Sequence, residues 1–358
     1  MASVIGIREV GESGYSEWNE MIASSPGGSI YSTPEYLDVL CGAAGGRFRL
    51  LAADRGGEMV GGIAVWERDT AWGTYLASRY LLYYNGFVLK PHISKYPSEN
   101  TSKQIEILTQ LEEAVSGAKY GRVSIRSRSM NDIRVFVSRG WAVKPSYTYV
   151  VPLLDLKDLW SRVEQNLRRL VSRCTREAIG FTDDDDFASY FRLHLQTASR
   201  KGAGIYLPAD AFQRYFTRLR NQNLCRLFHA RLPDGLAISS QLVLTGGHPV
   251  SHTVSTAAAA EHLRTGANAF LRWKVFERLA ELGLHANDLT DAELNPVTHF
   301  KSQLGGDLQM NLMLTRPDRA GFIMESSLQH AKTAAATLAA RITNVLRQPA
   351  SQTAERTA

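Results

Sequence analysis

Apolar positions along this chain follow two periods, and the order in which they alternate is nearly the same in both halves. In the first half, Ser16–Ala23 and Pro34–Cys41 read as short helices. Thr33 caps the second of these, and Pro34 sits in its first turn, where its missing N–H is harmless. Arg47–Asp54 and Glu58–Glu67 read as strands of a hairpin joined at Arg55-Gly56-Gly57. Ile105, Leu108, Leu111, Ala114 and Val115 form a helical stripe over Ser102–Gly117. A strand over Arg122–Ser127, a short helix over Asp132–Arg139 closed by Gly140, and a strand over Tyr147–Leu153 complete this half.

The second half starts with a long helix over Leu156–Ile179, ended by Gly180 and buried through Leu159, Val163, Leu167, Leu170, Cys174 and Ala178. Helices over Phe187–Ser199 and Asp210–Gln222 follow. Next come strands Cys225–Leu232 and Ala237–Thr245, turned by Pro233-Asp234-Gly235, and a third strand, His248–Thr256, after Gly246-Gly247. Then come a helix over Ala267–Leu282, a strand near Ala286–Leu289 and a last strand over Leu308–Leu314. An Ala-rich helix is predicted over about Met324–Leu346, with a polar, frayed tail after Gln348. The pattern predicts an α/β chain (α+β with mixed sheets) in which a helix-flanked sheet occurs twice, with a boundary near Val151–Leu156.

Composition narrows the class. At 358 residues, about two domains are expected. The 44% apolar and 21% charged shares are those of a globular protein. Cys41, Cys174 and Cys225 are far apart and odd in number, without zinc-type spacing, so neither a disulfide framework nor a structural zinc is expected. Met1–Gly11 lacks an apolar core of signal-peptide length, and no run of about 18 apolar residues suggests a transmembrane helix. A cytoplasmic location, with peripheral contact at the inner membrane face as a variant, is the expectation. The net charge of +6 suits an anionic partner such as a phosphate-bearing cofactor, tRNA or lipid headgroup, and equally suits a mildly basic solvated surface.

Three places carry candidate chemistry. Arg162, Arg169, Arg173 and Arg176, with Arg168 beside them, make an arginine stripe on the predicted long helix, either an anion site or a solvated face paired with Glu164 and Glu177. The turn Arg264-Thr265-Gly266-Ala267-Asn268 opens a helix, where free N–H groups and the dipole favour an anion; the plain alternative is an ordinary capped start. Phe300-Lys301, at the end of a predicted loop before Gly305-Gly306, suits a fixed cation for the oxyanion of acyl transfer; the alternative is an exposed lysine near a turn. Two further features are decoys. Asp183–Asp186 lacks the alternation of a calcium loop and reads as a solvated loop capping the next helix. His248 and His252 would share one strand face without a third ligand.

The runs LWSRVEQNLRRLVSRCTREA, FRLHLQTASRKGAGIYLPADAFQRYF, LRTGANAFLRWKVFERLAELGLHANDL and HFKSQLGG, in that order and spacing, resemble the FemAB-like branch of the GNAT acyltransferase superfamily, which is related to peptidoglycan-bridge aminoacyltransferases. The first half matches more loosely, through GGSIYSTPEYLDVL and EMVGGIAV. The resemblance implies two tandem GNAT-like domains, 1–152 and 153–317, with a cleft between them. It also implies that the 318–347 helix packs back on the first domain, leaving 348–358 as a tail.

The family's phenylalanine–lysine pair falls on Phe300 and Lys301, which implies transition-state stabilisation by Lys301. Arg264, Gly266, Ala267 and Asn268 fall on the donor-binding turn, although the glycine-rich Arg/Gln-x-x-Gly-x-Gly/Ala form is absent. Arg200 and Tyr206, with Arg169 and Arg173, are the candidates for acceptor or anion binding. Asp288 and Asp291, within a stretch that departs from the family's glycines, are the candidate bases by proximity to Lys301.

The implied activity is direct attack of an amine on an activated carrier, making an N-acyl- or aminoacyltransferase with no tightly bound cofactor or metal. Acyl-CoA, an acyl-carrier-protein thioester and aminoacyl-tRNA are the candidate co-substrates. The acceptor would be a small-molecule or lipid-linked amine of cell-envelope, polysaccharide or amino-acid type. The missing long helical hairpin of some tRNA-dependent members favours a thioester donor. tRNA-dependent aminoacyl transfer to a peptidoglycan precursor, or a catalytically degenerate scaffold in polysaccharide assembly, are the alternatives. DNA is not an expected partner, and both monomer and dimer stay open.

Overall fold

A computed structural model describes residues 4–76, 81–202, 204–205, 207–320 and 322–324. The first half contributes strands β1 (Ile5–Glu9), β2 (Arg47–Arg55), β3 (Glu58–Thr70), β4 (Gly73–Leu76), β5 (Phe87–Leu89), β6 (Arg122–Ser127) and β7 (Ala142–Pro152). Its helices are α1 (Tyr15–Ser24), α2 (Pro34–Ala44), α3 (Pro97–Gly117) and α4 (Arg134–Ser138). The second half contributes α5 (Leu156–Arg162), α6 (Gln165–Arg176), β8 (Gly180–Asp183), α7 (Phe187–Lys201), α8 (Ala209–Asn221), β9 (Cys225–Arg231), β10 (Ala237–Leu244) and β11 (Val250–Ala258). It continues through α9 (Ala267–Glu281), β12 (Ala286–Asp288), α10 (Pro296–Ser302) and β13 (Asp307–Arg316).

All these strands join one mixed sheet in the order β1-β2-β3-β4-β6-β13-β7-β12-β11-β10-β9-β8, with β5 beside β3. The final strand, β13, runs antiparallel between β6 and β7 of the first half, and β7 continues the sheet into the second half through β12. Among the described residues, three large cores cover the faces, with a small fourth cluster around Leu193 and Ala257. One packs α3 on Ile63, Val65, Val123 and Ile125, and another packs α6 and α9 on Phe228 and Val243. The third is shared, since α1 and α2 bring Trp18, Tyr36 and Leu37 into one cluster with Tyr215, Phe216 and Leu219 of α8. Across this seam the Tyr36 and Tyr215 hydroxyls hydrogen-bond at 2.9 Å.

Capping chemistry fixes several element starts. Thr33 opens α2 ahead of Pro34, and Asp186 opens α7 by accepting the Ser189 N–H at 3.0 Å, as the reading of the acidic run anticipated. That run is also paired: Arg231 reaches both Asp184 and Asp186 at 3.0 Å.

The long helix expected over Leu156–Ile179 is instead two helices. Val163 and Glu164 are extended, which keeps Val163 buried and lets the Glu164 N–H donate to the Gln303 carbonyl at 3.0 Å. Gly180 does not end α6. The left-handed residue there is Ala178, at φ 54°, and Gly180 already pairs with Arg231 in the edge strand β8. Phe322, in a helical stretch at 322–324, is buried and packs edge-on against Tyr75 at 6.0 Å between ring centres. The remainder of the expected C-terminal helix and the tail, 325–358, lie outside the described residues. No helix among the described residues is long and apolar enough to cross a membrane.

Candidate functional site

β11 and β12 run parallel over only three register pairs, Val250–His252 with Ala286–Asp288. Beyond Asp288 the chain leaves the sheet while β11 continues to Ala258, and the gap opens a cavity of about 980 Å³. Its walls include Asn268 and Arg272 of α9, Phe300 and Lys301 of α10, Arg200 and Lys201 at the end of α7, and Asp291 and Glu293. A second cavity of about 230 Å³ lies between the halves, lined by Tyr31, Tyr36 and Tyr83 on one side and Phe212 and Tyr215 on the other. The two cavities share Val254, Ser255, Thr290 and Asp291. On β11 the register steps from Leu242↔Ser255 to Val243↔Thr253, so Val254 is a bulge, left out of the ladder at that shared wall.

Lys301 stands on a helix, not at the end of a loop. Asn295 caps α10 by accepting the Val297 and Thr298 N–H groups at 2.9 and 3.1 Å, and Pro296 occupies the first turn. The Lys301 side chain is nearly buried, and its Nζ donates to the carbonyls of Thr290 and, at 2.7 Å, Asp291. Both carbonyl-bearing residues have positive φ, 46° and 51°, an uncommon state for non-glycine residues. The Asp291 N–H in turn donates to the Tyr83 hydroxyl of the first half. Burial pushes the Lys301 ammonium down to about 8; Arg272 adds to this, and Asp291 and Asp288 oppose it. At neutral pH Lys301 therefore remains mostly a cation, with one N–H beyond those given to the two carbonyls.

Of the donor-turn candidates, only Asn268 lines the cavity, and its Oδ1 accepts from the Ser239 hydroxyl at 2.7 Å. Gly266, at φ 92°, precedes the first turn of α9, and a Cβ there would lie 2.9 Å from the Leu170 Cβ. Neither Gly266, Ala267 nor Arg264 is part of the cavity wall. Arg200 does line it and donates to the Ala258 carbonyl at 3.2 Å. Tyr206 lies outside the described residues. Arg173 is turned away, donating to the Arg264 carbonyl at 2.9 Å and to that of Thr265, so it ties α6 to the loop before α9. Arg169 lines a separate open groove with Arg168, Arg176, Trp160 and Trp273.

The two candidate bases separate. Asp291 lines both cavities. Asp288 is wholly buried and lines neither. Its carboxylate accepts from the Tyr84 hydroxyl and the Thr290 N–H, each at 2.8 Å, and from the Thr148 hydroxyl. Burial disfavours its charge, but His252, Arg128 and Thr148 outweigh that and hold the carboxyl below the usual range. His248 and His252 do not share a strand face: His248 precedes β11 and accepts the Val250 N–H at 3.1 Å. His252 is buried in the shared core, 5.1 Å from the Tyr31 ring.

Two cavity residues escaped the sequence reading. His194 of α7 faces the cavity, and burial lowers its pKa so that it favours the neutral form. Arg272 is 4% exposed; its Nη2 donates to the Thr256 hydroxyl at 2.6 Å, while Nε and Nη1 have no acceptor among the described residues.

Residues 161–302 match the acetyltransferase (GNAT) domain model, a span that closes one residue after Lys301. No curated protein sequence matches the chain. Among solved structures, FemX is similar at 13% identity and a TM-score of 0.67, covering 86% of this chain and 96% of its own. A tandem GNAT protein from the clavulanic acid biosynthesis pathway is similar at 13% identity and a TM-score of 0.51, covering 88% and 98%. L-PGS from Bacillus licheniformis is similar at 12% identity and a TM-score of 0.50, covering 79% and 91%. At these identities the structural likeness speaks for the fold, and the fold agrees with the matched domain. Residues 161–302 are therefore a GNAT-type acetyltransferase domain, and the chain as a whole has the two-domain mixed α/β GNAT fold of these neighbours.

Proposed function

We propose that the protein is an N-acyltransferase that passes an acyl or aminoacyl group from an activated carrier to an amine. The larger cavity would take the reactive end of the donor, and the tyrosine-lined cleft between the halves would admit the acceptor amine. The observation that carries this reading is that the two spaces meet at Thr290–Asp291, where Lys301 is pinned. An amine attacking there pushes negative charge onto the acyl oxygen. A fixed ammonium and the backbone of the Val254 bulge are suitable donors for that oxyanion, since they need no reorganisation during reaction. Collapse of the intermediate expels the carrier's thiolate or ribose oxygen, and the amine loses a proton. Asp291 or neutral His194, both on the cavity wall, would receive it.

We take the two units as 1–152 and 153–317. Asn268 and Arg200 would bind substrate, Gly266 and Arg173 would shape the α9 entrance, and Arg169 would act outside the cavity. Either thioesters or aminoacyl-tRNA fit as donors. The acceptor would be a small-molecule or lipid-linked amine of cell-envelope, polysaccharide or amino-acid type.

The test is to incubate the protein with labelled acyl-CoA, acyl-carrier-protein or aminoacyl-tRNA and a panel of amines, with Lys301→Met alongside. A new amide formed only by the unmodified chain is the expected result. No transfer from any donor would favour a scaffold instead, and equal transfer by the variant would remove Lys301 from the mechanism.

A further inference from the structure

Helix α9 buries Ala269, Arg272, Phe276 and Leu279, successive positions on one helix face. Three of them are apolar, and the fourth is a guanidinium. Burying a cation without a counter-charge is costly, and proteins seldom tolerate it without a compensating partner. Among the described residues the only acceptor is the Thr256 hydroxyl at 2.6 Å, and Nε and Nη1 are left unmatched. The charge is not hidden in solid core, because Arg272 lines the large cavity. Its neighbours on that wall strengthen the sign: Lys301, Arg200 and Lys201 line the same space. No carboxylate among the described residues pairs with Arg272, and Asp291 and Glu293, also on the wall, leave its Nε and Nη1 open.

We infer that Arg272 anchors a receptor for an oxyanion, a carboxylate or a phosphate carried into the cavity by one of the substrates. A guanidinium presents its N–H groups in a fixed plane, which suits either anion, and Thr256 fixes the orientation of that plane. Lys301 lies close enough to feel the Arg272 charge, so a bound anion relieves repulsion between two cations that otherwise face one space. The site thus selects substrates with a negative group near the reacting bond and rejects neutral analogues, which would leave the guanidinium unpaired.

This inference rests on the larger cavity being a substrate site, but its test reads binding rather than turnover, so the two can fail separately. The full chain is titrated with pyrophosphate and with succinate against sodium chloride of matched ionic strength, following Tm and calorimetric affinity. At least one anion should raise Tm by about 3 °C or more at saturating concentration. Arg272→Met should lose that shift, and without anion it should melt at or above the parent, since the unpaired charge is gone. Arg272→Lys, which keeps the charge but not the planar fork, should bind about tenfold more weakly and decides the matter if the methionine variant does not fold. Lys90→Gln, a surface position paired with Glu58 away from the cavity, should bind as the parent does. A pyrophosphate preference assigns the anion to a phosphate group, and a succinate preference assigns it to a carboxylate. Failure of both anions to bind the parent, or equal binding by Arg272→Met, overturns the proposal.

Discussion

The Nζ of Lys301 donates at 2.7 Å to the backbone carbonyl of Asp291, and Asp291 has a left-handed backbone at φ 51°. The lysine thus holds an uncommon turn in place from the second half, while Tyr83 holds the same turn from the first. The place where the two cavities meet is therefore built by contacts from both halves. In the proposed mechanism, a chemical role and a positioning role would coincide in this one side chain.

Replacing Lys301 with Met should lower transfer by about 100-fold or more, the scale of losing one oxyanion donor. Folding should change little. The variant removes a costly buried ammonium and at the same time frees two carbonyls, and these effects oppose each other. A rate assay and a melting curve on the same preparation check both halves of the statement.

Lys301 also predicts a pH signature. Its folded pKa of about 8 lies below the ordinary 10.5, so the penalty for burying the cation is complete below 8. The unfolded chain binds more protons between these values, so stability gains from this group as pH rises from about 8 toward 10.5. The Lys301-dependent part of the rate should fall over the same rise, because the cation is lost. Denaturant titrations at pH 7 and 9.5 with parent and Lys301→Met should show the differential gain only in the parent.

Asp288→Asn should act through the fold. The carboxylate is fully buried and holds Tyr84, Thr148 and the Thr290 N–H, so the change should cost about 3 kcal/mol. Because its folded pKa is depressed, its stabilisation is present at neutral pH and lost on acidification through the acid range. Asp291→Asn should leave stability within about 1 kcal/mol and change the rate instead. Urea melts of the two variants separate these roles; a stable Asp288→Asn protein with a lost rate would reinstate Asp288 as the base.

Gly266→Val should destabilise by about 2 kcal/mol. The new side chain would adopt an unfavourable φ of 92° and press on Leu170 of α6. A midpoint unchanged in urea would show that the turn relaxes freely.

Much of this architecture was legible because local rules sufficed. The Thr33-Pro34 start, the β9–β10 hairpin and the helix after Gly266 all follow from neighbouring residues. The break at Val163-Glu164 was not legible, because an unbroken apolar stripe crosses it and the deciding partner is the Gln303 carbonyl, far away in the chain. The insertion of β13 between β6 and β7 is likewise a long-range pairing that no local period encodes.

At the site, Phe300-Lys301 was found, but its helix was missed despite the Asn295-Pro296 start signal. Proximity in sequence made Asp288 and Asp291 look alike, yet one faces the core and the other the cavities. Arg272 had a readable signal: a charge at an otherwise apolar position in the α9 stripe, between Ala269 and Phe276.

The most direct test of the account is a single-turnover transfer measurement with a donor and acceptor found in the substrate panel, comparing the parent with Lys301→Met at pH 7. The account predicts a stoichiometric burst of amide from the parent, and from the folded variant a rate lower by about 100-fold. Equal rates from the two proteins would contradict it.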